Sequence, residues 1–161
     1  MIKVDLQKAY DSVEWVFLEQ VMEGIGFPAK FSKWIMTCVK IANYSILVNR
    51  EPCQEPFDAA KGLRQGDPIS PFLFVLAMEY LSRSLNLLKE KKEFKYHPKC
   101  AKLGITHLRF TDDLLLFARG DLNAVSCLQN NFLQFSTASA LQANMDKSSV
   151  ILEGSHCRIE W

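Results

Sequence analysis

Two adjacent aspartates, Asp112 and Asp113, are the strongest chemical signal in this 161-residue sequence. They lie between two apolar runs, residues 108–110 and 114–117. This pattern predicts two short strands joined by a tight turn, because Asp is a favoured turn residue. Neighbouring carboxylates repel each other unless a cation lies between them, and their hard oxygen donors suit Mg²⁺. The pair alone is also typical of a solvated turn, so a metal site needs a further ligand.

A third carboxylate, Asp5, is the candidate for that ligand. Apolar Ile2 and Val4 alternate with polar residues, which predicts a short strand with Asp5 at its end. A side chain on a strand is held in a fixed geometry, as a metal ligand requires. The alternative is that Asp5 only ends a strand.

A polar, glycine-containing loop lies between these two segments. Residues 62–71 have the sequence GLRQGDPISP, and a long apolar stretch follows. The glycines, the prolines and Ser70 are typical of a flexible loop that leads into a capped helix. A flexible loop does not explain why Arg, Gln, Gly and Asp occur together as a unit.

Taken in order, these three segments resemble motifs A, B and C of the palm of reverse transcriptases. The resemblance is closest to LINE-type retroelements without long terminal repeats, especially those of plants. A fourth segment, residues 139–148 with the sequence SALQANMDKS, resembles motif D. The ordered set is far more specific than the aspartate pair alone. It implies an α+β fold, the reverse transcriptase palm, in which a ferredoxin-like antiparallel sheet has helices packed on one face.

The resemblance also implies a metal site and its chemistry. In such palms the end of the first strand and the hairpin tip are neighbours, so Asp5 and Asp112 would bridge two Mg²⁺ or Mn²⁺ ions. Asp113 would support the site, and the backbone carbonyl of Leu6 would be a further ligand. Lys147 matches the motif D lysine, which lies near the departing pyrophosphate as a general acid. A solvated lysine explains Lys147 nearly as well.

The nucleotide-binding residues are implied in the same way. Tyr10 stands where the family places an aromatic ring that blocks the 2′-position of the sugar, although core packing is an alternative and both roles can hold. Gly62 and Gly66 would permit close approach of a base pair. Arg64 and Gln65 would offer donors to the template or the incoming nucleotide. The implied partners are an RNA template, a DNA primer and deoxynucleoside triphosphates.

Composition adds only broad limits. The chain is 48% hydrophobic and 23% charged with a net charge of +1, as in ordinary globular domains. Residues 89–102 are rich in lysine, which favours a solvated connector over a phosphate-contacting patch. The five scattered cysteines indicate reduced thiols of an intracellular protein, in the nucleus or the cytoplasm. No apolar run is long enough to span a membrane, so we expect no membrane partner, and the oligomeric state is not indicated.

Helices and strands must position these residues. Apolar spacing predicts four helices: one capped by Ser12, a second at 31–39, a third from Ser70 to about Lys89 and a fourth from about Leu122 to Ser136. The second helix would bury one face, made of Phe31, Trp34, Ile35, Cys38 and Val39. Strands are predicted at 2–5, 106–110, 114–118 and 149–152.

Three residues depart from the family pattern. Thr111 stands where Ala is more common, and Ala140 stands where Gly is usual. Arg109 occupies a position that is usually apolar or small. We expect Arg109 either to point to solvent or to compete for Asp112.

Two functions of different classes remain open. Because Met1 nearly coincides with motif A, we expect residues 1–161 to be a partial reverse transcriptase domain, with fingers and thumb largely missing. The first function is an RNA-directed DNA polymerase that extends a DNA primer on an RNA template. The alternative is an inactive retroelement remnant that keeps the palm and binds nucleic acid weakly at most.

Overall fold

The structure, a computed structural model, describes residues 1–41, 43–44, 47–49, 51–52, 57–152 and 155–158. It divides into two compact units. The first unit contains residues 1–9 and the chain from residue 78 onward, and the second contains residues 10–77. The three candidate aspartates therefore belong to the first unit, and the loop 62–71 belongs to the second.

The described chain consists of short strands and helices, most of which are longer than the strands. The elements are β1 (Ile2–Gln7), α1 (Ala9–Ser12), α2 (Trp15–Ile25), α3 (Ala29–Lys40), β2 (Asn43–Tyr44), β3 (Leu47–Val48), β4 (Glu51–Pro52), β5 (Phe57–Asp58), α4 (Ser70–Leu87), β6 (His107–Phe110), β7 (Asp113–Leu116), α5 (Leu122–Ser139), β8 (Gln142–Ala143), β9 (Ser149–Leu152) and β10 (Ser155–Arg158). Two short 3₁₀ helices, Leu88–Glu90 and Ala101–Leu103, lie between α4 and β6.

The first unit is built on an antiparallel sheet with the strand order β10-β9-β1-β7-β6, and β8 also pairs with β1. Successive side chains of a strand point to opposite faces. One face of β1 and β7 is buried and apolar, and it consists of Ile2, Val4, Leu6, Leu114 and Leu116. The opposite face carries Lys3, Asp5 and Asp113, which are partly exposed. Alternation along β1 therefore separates core residues from candidate site residues.

Helix α5 adds apolar side chains to the core of the same unit, namely Leu128, Phe132 and Phe135. The helix begins after Asp121, whose carboxylate accepts a hydrogen bond of 2.9 Å from the backbone N–H of Ala124. Such a cap satisfies one of the free donors of the first turn. The helix ends at Ser139 and is followed by Ala140, whose φ of 61° is left-handed.

The second unit is mainly helical. Helix α2 buries Phe17, Leu18, Val21 and Met22, and α3 buries Ser32, Ile35 and Met36. Two short antiparallel pairs, β2 with β5 and β3 with β4, follow α3. Helix α4 begins in this unit and continues into the first.

The predicted α+β fold is confirmed, and each strand predicted above lies within a few residues of its expected bounds. The prediction that Ser12 caps the first long helix is wrong, since Ser12 ends α1 and α2 follows Glu14. The predicted buried face of α3 is wrong in part: Ile35 is buried, but Phe31, Trp34 and Cys38 are exposed. Two apolar stripes lie side by side on this helix, and periodicity alone does not indicate which one faces the core. None of the described helices is both long and apolar enough to cross a membrane.

Candidate active site

Asp5 lies inside β1, not at its end as expected, because the strand continues to Gln7. Its backbone N–H donates to Oγ of Ser148 at 3.2 Å, and its carbonyl accepts from the N–H of Asn144 at 2.7 Å. On the other side, its Cα partner in β7 is Asp113. The backbone of Asp5 is therefore held from both sides. Sequence reasoning missed the buried Ser148, and its place in the motif D segment was the available signal.

The hairpin gives its two aspartates different environments. Asp113 is the first residue of β7, whereas Asp112 is exposed in the turn. Residues directly opposite in antiparallel strands share a face, so Asp5 and Asp113 point to the same side of the sheet. The backbone N–H of Leu6 donates to the carbonyl of Asp112 at 3.3 Å. The structure thus brings all three aspartates to one end of two adjacent strands.

Leu6 lies between this hairpin and β8. Its side chain is buried, and its Cα partner in β8 is Ala143. The role of its carbonyl as a metal ligand stays a prediction.

Lys3 shares the site face of β1, because it lies two residues before Asp5. Its Nζ is 3.0 Å from Oδ1 of Asp113. This hydrogen bond and the Asp113 charge raise the pKa of Lys3, with smaller contributions from the charges of Asp5 and Asp112. Lys3 is therefore a cation at neutral pH. In the described part of the chain, the carboxylates of Asp5 and Asp112 form no ion pair.

The donor chemistry at this end of the sheet is compatible with a hard divalent ion. The described residues contain no three His, Cys, Asp or Glu side chains grouped to hold a metal. Mg²⁺ commonly binds through one or two carboxylates, and water and substrate phosphates complete its shell. Asp5 and Asp112 would supply the one or two carboxylates that this mode requires. The metal assignment stays a prediction.

Lys147 lies in the turn between β8 and β9. It is exposed, and its backbone N–H donates to the carbonyl of Asn144 at 3.3 Å. The same turn supplies the contacts from Asn144 and Ser148 to Asp5. Lys147 is thus anchored beside the strand of Asp5, and its role as an acid stays a prediction.

The sequence left two alternatives for Arg109, namely that it points to solvent or that it competes for Asp112. The structure shows neither, because Arg109 pairs with Glu79. Its Nη2 lies 3.5 Å from Oε2 of Glu79 in α4, and the side chain is 27% exposed. Glu79 also pairs with Arg83 at 3.2 Å. The register explains this, since Arg109 is opposite Leu114 and so shares the buried face of the sheet. The departure at Arg109 therefore leaves the aspartates free of a competing guanidinium.

In the second unit, Tyr10 is half-buried and stacks on Phe74 of α4, with ring centroids 4.9 Å apart and an interplanar angle of 20°. Its backbone carbonyl accepts from the N–H of Leu63 at 2.7 Å. The packing role considered for Tyr10 is therefore present. Its role against the 2′-hydroxyl stays a prediction.

Gly62 is buried within the protein and has a φ of 89°. A Cβ at this position would lie 2.7 Å from the carbonyl oxygen of Asp11. The N–H of Gly62 donates to the carbonyl of Val13 at 2.9 Å, and Nε1 of Trp15 donates to the carbonyl of Gly62 at 2.7 Å. The close approach that requires this glycine is thus to the protein's own backbone, and a further approach to a base pair stays a prediction.

Arg64, Gln65 and Gly66 are exposed on the loop that leads to α4. Nε2 of Gln65 donates to Oδ1 of Asp11 at 3.3 Å. Gly66 has a φ of 86° and nothing within 4 Å of a Cβ built on it, so its need for glycine is conformational. The loop ends where Oδ1 of Asp67 accepts from the N–H of Ile69 at 3.0 Å. Donors of the expected type are therefore available to a ligand.

Comparison with known proteins identifies a family for nearly the whole chain. Residues 1–159 match the model of the family described as reverse transcriptase (RNA-dependent DNA polymerase). The chain is 28% identical over 137 residues to a Pol polyprotein of retrotransposable element R2 from Popillia japonica. It is 28% identical over 144 residues to that of element R2DM from Drosophila melanogaster, and 29% identical over 154 residues to a transposon TX1 protein from Xenopus laevis.

These matches cover 85%, 89% and 96% of the chain, but the aligned parts span only 22%, 13% and 11% of the three relatives. Among solved structures, the fold is similar to telomerase from Candida albicans, with a TM-score of 0.69 and 15% identity. That alignment covers 96% of this chain and 27% of the telomerase chain. Telomerase from Candida tropicalis gives a TM-score of 0.68 and 14% identity, and the alignment covers 91% and 25% of the two chains.

Proposed function

We propose, from the premise that this chain belongs to the reverse transcriptase family, that it provides the catalytic carboxylates for RNA-directed DNA synthesis in a non-LTR retroelement. The observation that carries the proposal is the placement of Asp5 directly opposite Asp113, with Asp112 in the adjoining turn. Family membership alone gives the reaction class. The register supports the proposal, because it puts Asp5 and Asp113 on the same face of the sheet.

The reaction is attack of a primer 3′-hydroxyl on the α-phosphate of a deoxynucleoside triphosphate, with pyrophosphate as the leaving group. Its demands are alignment of the two reactants and neutralisation of the charge on phosphate. Bound Mg²⁺ or Mn²⁺ would neutralise phosphate charge and lower the pKa of the attacking hydroxyl. Asp5 and Asp112 would hold such ions, with the Leu6 carbonyl as a further ligand. Asp113 would support the site.

The remaining residues act on the leaving group and the nucleotide. Lys147 would donate a proton to the departing pyrophosphate. Tyr10 would exclude the 2′-hydroxyl of a ribonucleotide. Arg64 and Gln65 would hydrogen-bond the template or the incoming nucleotide, and Gly66 would keep the loop backbone accessible to them. An RNA template and a DNA primer would be the macromolecular partners.

Because the chain spans only part of its relatives, the test places it in a longer protein. Residues 1–161 replace the matched segment of the R2DM Pol polyprotein, and primer extension is measured on an RNA template with Mg²⁺. We expect RNA-templated extension that Asp112→Ala lowers roughly a thousandfold, because phosphate charge then lacks neutralisation. Glu93→Gln, a charge change on an exposed residue, is the control. Unchanged extension by the Asp112→Ala chimera would contradict the proposal.

The alternative, an inactive remnant with weak nucleic-acid binding, has one observation in its favour. Thr111, which precedes Asp112, is a β-branched residue with a left-handed φ of 54°. Such strain beside a site residue is expected if the turn has lost its original sequence. A chimera that binds template and primer but does not extend the primer, and that gains extension with Thr111→Ala, would favour this alternative.

A further inference from the structure

Lys3 is the cation that the structure places among the candidate carboxylates. It lies opposite Leu115 in the register of β1 and β7, so Asp113 is its diagonal neighbour on the same face. Long side chains reach such diagonal partners. The contact of 3.0 Å to Oδ1 of Asp113 is within hydrogen-bond distance. The ion pair therefore follows from the backbone register, not from a chance surface contact.

The ion pair between Lys3 and Asp113 distinguishes Asp113 from the other two carboxylates. Asp113 accepts a hydrogen bond from an ammonium, whereas Asp5 and Asp112 have no ion pair in the described part of the chain. A carboxylate that is engaged with an ammonium must break this contact before it can bind a metal ion through the same oxygen. The two unpaired carboxylates have no such contact to break.

We propose that Lys3 is a positioning residue that keeps Asp113 in an ion pair and so leaves Asp5 and Asp112 as the carboxylates that bind the divalent ion. This inference rests on the proposed function, and it narrows the candidate ligands of that site. Mg²⁺ commonly takes one or two carboxylates, so two free carboxylates are sufficient.

The role of Lys3 has a second consequence. A fixed ammonium beside the site disfavours entry of a divalent cation that arrives without anions. The ion then binds better together with the negatively charged triphosphate than alone. Loss of Lys3 removes this repulsion and also releases Asp113 for metal binding.

The experiment measures Mn²⁺ affinity of the intact 161-residue chain by electron paramagnetic resonance, without nucleotide. We expect Asp5→Asn and Asp112→Asn each to weaken affinity by about tenfold or more, and Asp113→Asn by less than about threefold. We expect Lys3→Met to tighten affinity by about three- to tenfold, and Lys3→Arg to leave it nearly unchanged. Lys92→Met is the matched control, since Lys92 is also an exposed lysine of the first unit.

A double-mutant cycle tests whether Lys3 acts through Asp113. In the Asp113→Asn background only the loss of repulsion remains, because there is no carboxylate to release, so the tightening by Lys3→Met should be at least about twofold smaller there. Equal tightening in both backgrounds would overturn the proposal, and so would an Asp113→Asn effect as large as that of Asp5→Asn. If Mn²⁺ does not bind, or binds independently of Asp5 and Asp112, the metal site of the proposed function itself fails. Circular dichroism of each variant shows whether the fold is retained.

Discussion

The aspartate site (Asp5, Asp112 and Asp113) and the loop site (Tyr10, Gly62, Arg64, Gln65 and Gly66) are positioned by different means. Asp5 lies in a strand that pairs on both sides, with β7 and with β8 and β9. Arg64 and Gln65 lie on an exposed loop, and one side-chain bond of 3.3 Å to Asp11 holds Gln65.

The difference indicates how much freedom each site has. Ladder hydrogen bonds fix the direction of a side chain through the backbone, so Asp5 and Asp113 keep their relative positions. A loop anchored at its base but free at its tip can adjust to a ligand. The base of this loop is Gly62 and Leu63, which bond to the carbonyls of Val13 and Tyr10. Substitutions at the two anchoring points should therefore break the two sites separately.

The largest effect is expected at the base of the loop site. Gly62→Ala places a Cβ 2.7 Å from the Asp11 carbonyl at a φ of 89°, so backbone must move. We expect a loss of about 2–4 kcal/mol in the free energy of unfolding, measured by urea denaturation. Gly24→Ala is the matched control, because Gly24 is exposed within α2 and has nothing within 4 Å. This control should raise stability by up to about 1 kcal/mol. A Gly62→Ala variant as stable as the control would contradict the enclosed position of Gly62.

A smaller effect is expected behind the aspartate site. Ser148→Ala removes the acceptor of the Asp5 N–H in a buried position, and we expect a loss of about 1–2 kcal/mol in urea denaturation. Ser126→Ala, an exposed substitution in α5, should change stability by less than about 0.5 kcal/mol. Equal values for the two variants would mean that Ser148 does not anchor Asp5.

A gain in stability is expected at the hairpin turn of the aspartate site. Thr111→Gly relieves the left-handed φ of 54° at a β-branched residue, so stability should rise by about 0.5–1 kcal/mol. The same substitution at Thr137, exposed in α5, should lower stability by a similar amount. Thermal unfolding of both variants gives the comparison, and a destabilised Thr111→Gly protein would argue against strain in the turn.

The smallest effect concerns pH and the outer strand β6. Burial lowers the pKa of His107, the Arg109 and Lys89 charges lower it further, and Glu79 opposes them. Above pH 6.5, the ordinary pKa of histidine, His107 is neutral in both the folded and the unfolded protein, so it does not reduce the free energy of unfolding. As the pH falls below 6.5, the unfolded chain takes up a proton before the folded protein does, so stability falls toward the folded-state pKa.

The measurement for His107 is urea denaturation between pH 5 and pH 7.5. His107→Gln, which can still hydrogen-bond Ser82, should flatten the curve in this interval. An unchanged slope in the variant would assign the pH dependence to other groups.

Much of the aspartate site could be predicted from local sequence patterns. Alternation in β1 and a turn at Asp112 are properties of short segments, and both are present. That Asp113, not Asp112, lies opposite Asp5 depends on the register between strands more than a hundred residues apart. No local pattern contains that register, since a shift by one residue would still satisfy the turn.

At Gly62 of the loop site and at Arg109, the sequence does not reveal which residues are in contact. Gly62 lies in a loop whose composition is typical of ligand binding, but a Cβ at this position would lie 2.7 Å from the backbone carbonyl oxygen of Asp11. Likewise, an arginine in a strand does not reveal its partner, and here Arg109 reaches Glu79 of α4. Tertiary contacts decide both cases, and they depend on packing between segments that are distant in sequence.

The central position of β1 has a consequence for synthesis on the ribosome. Within the described residues, every strand that pairs with β1 lies at residue 113 or beyond. At translation rates of roughly 5–20 residues per second, the apolar side chains of β1 stay without their partners for at least about 5–20 seconds. An unpaired apolar strand is a site for chaperone binding or aggregation during that interval. Asp5 thus gains its opposite carboxylate only after Asp113 has been translated, so the proposed site cannot form before that point.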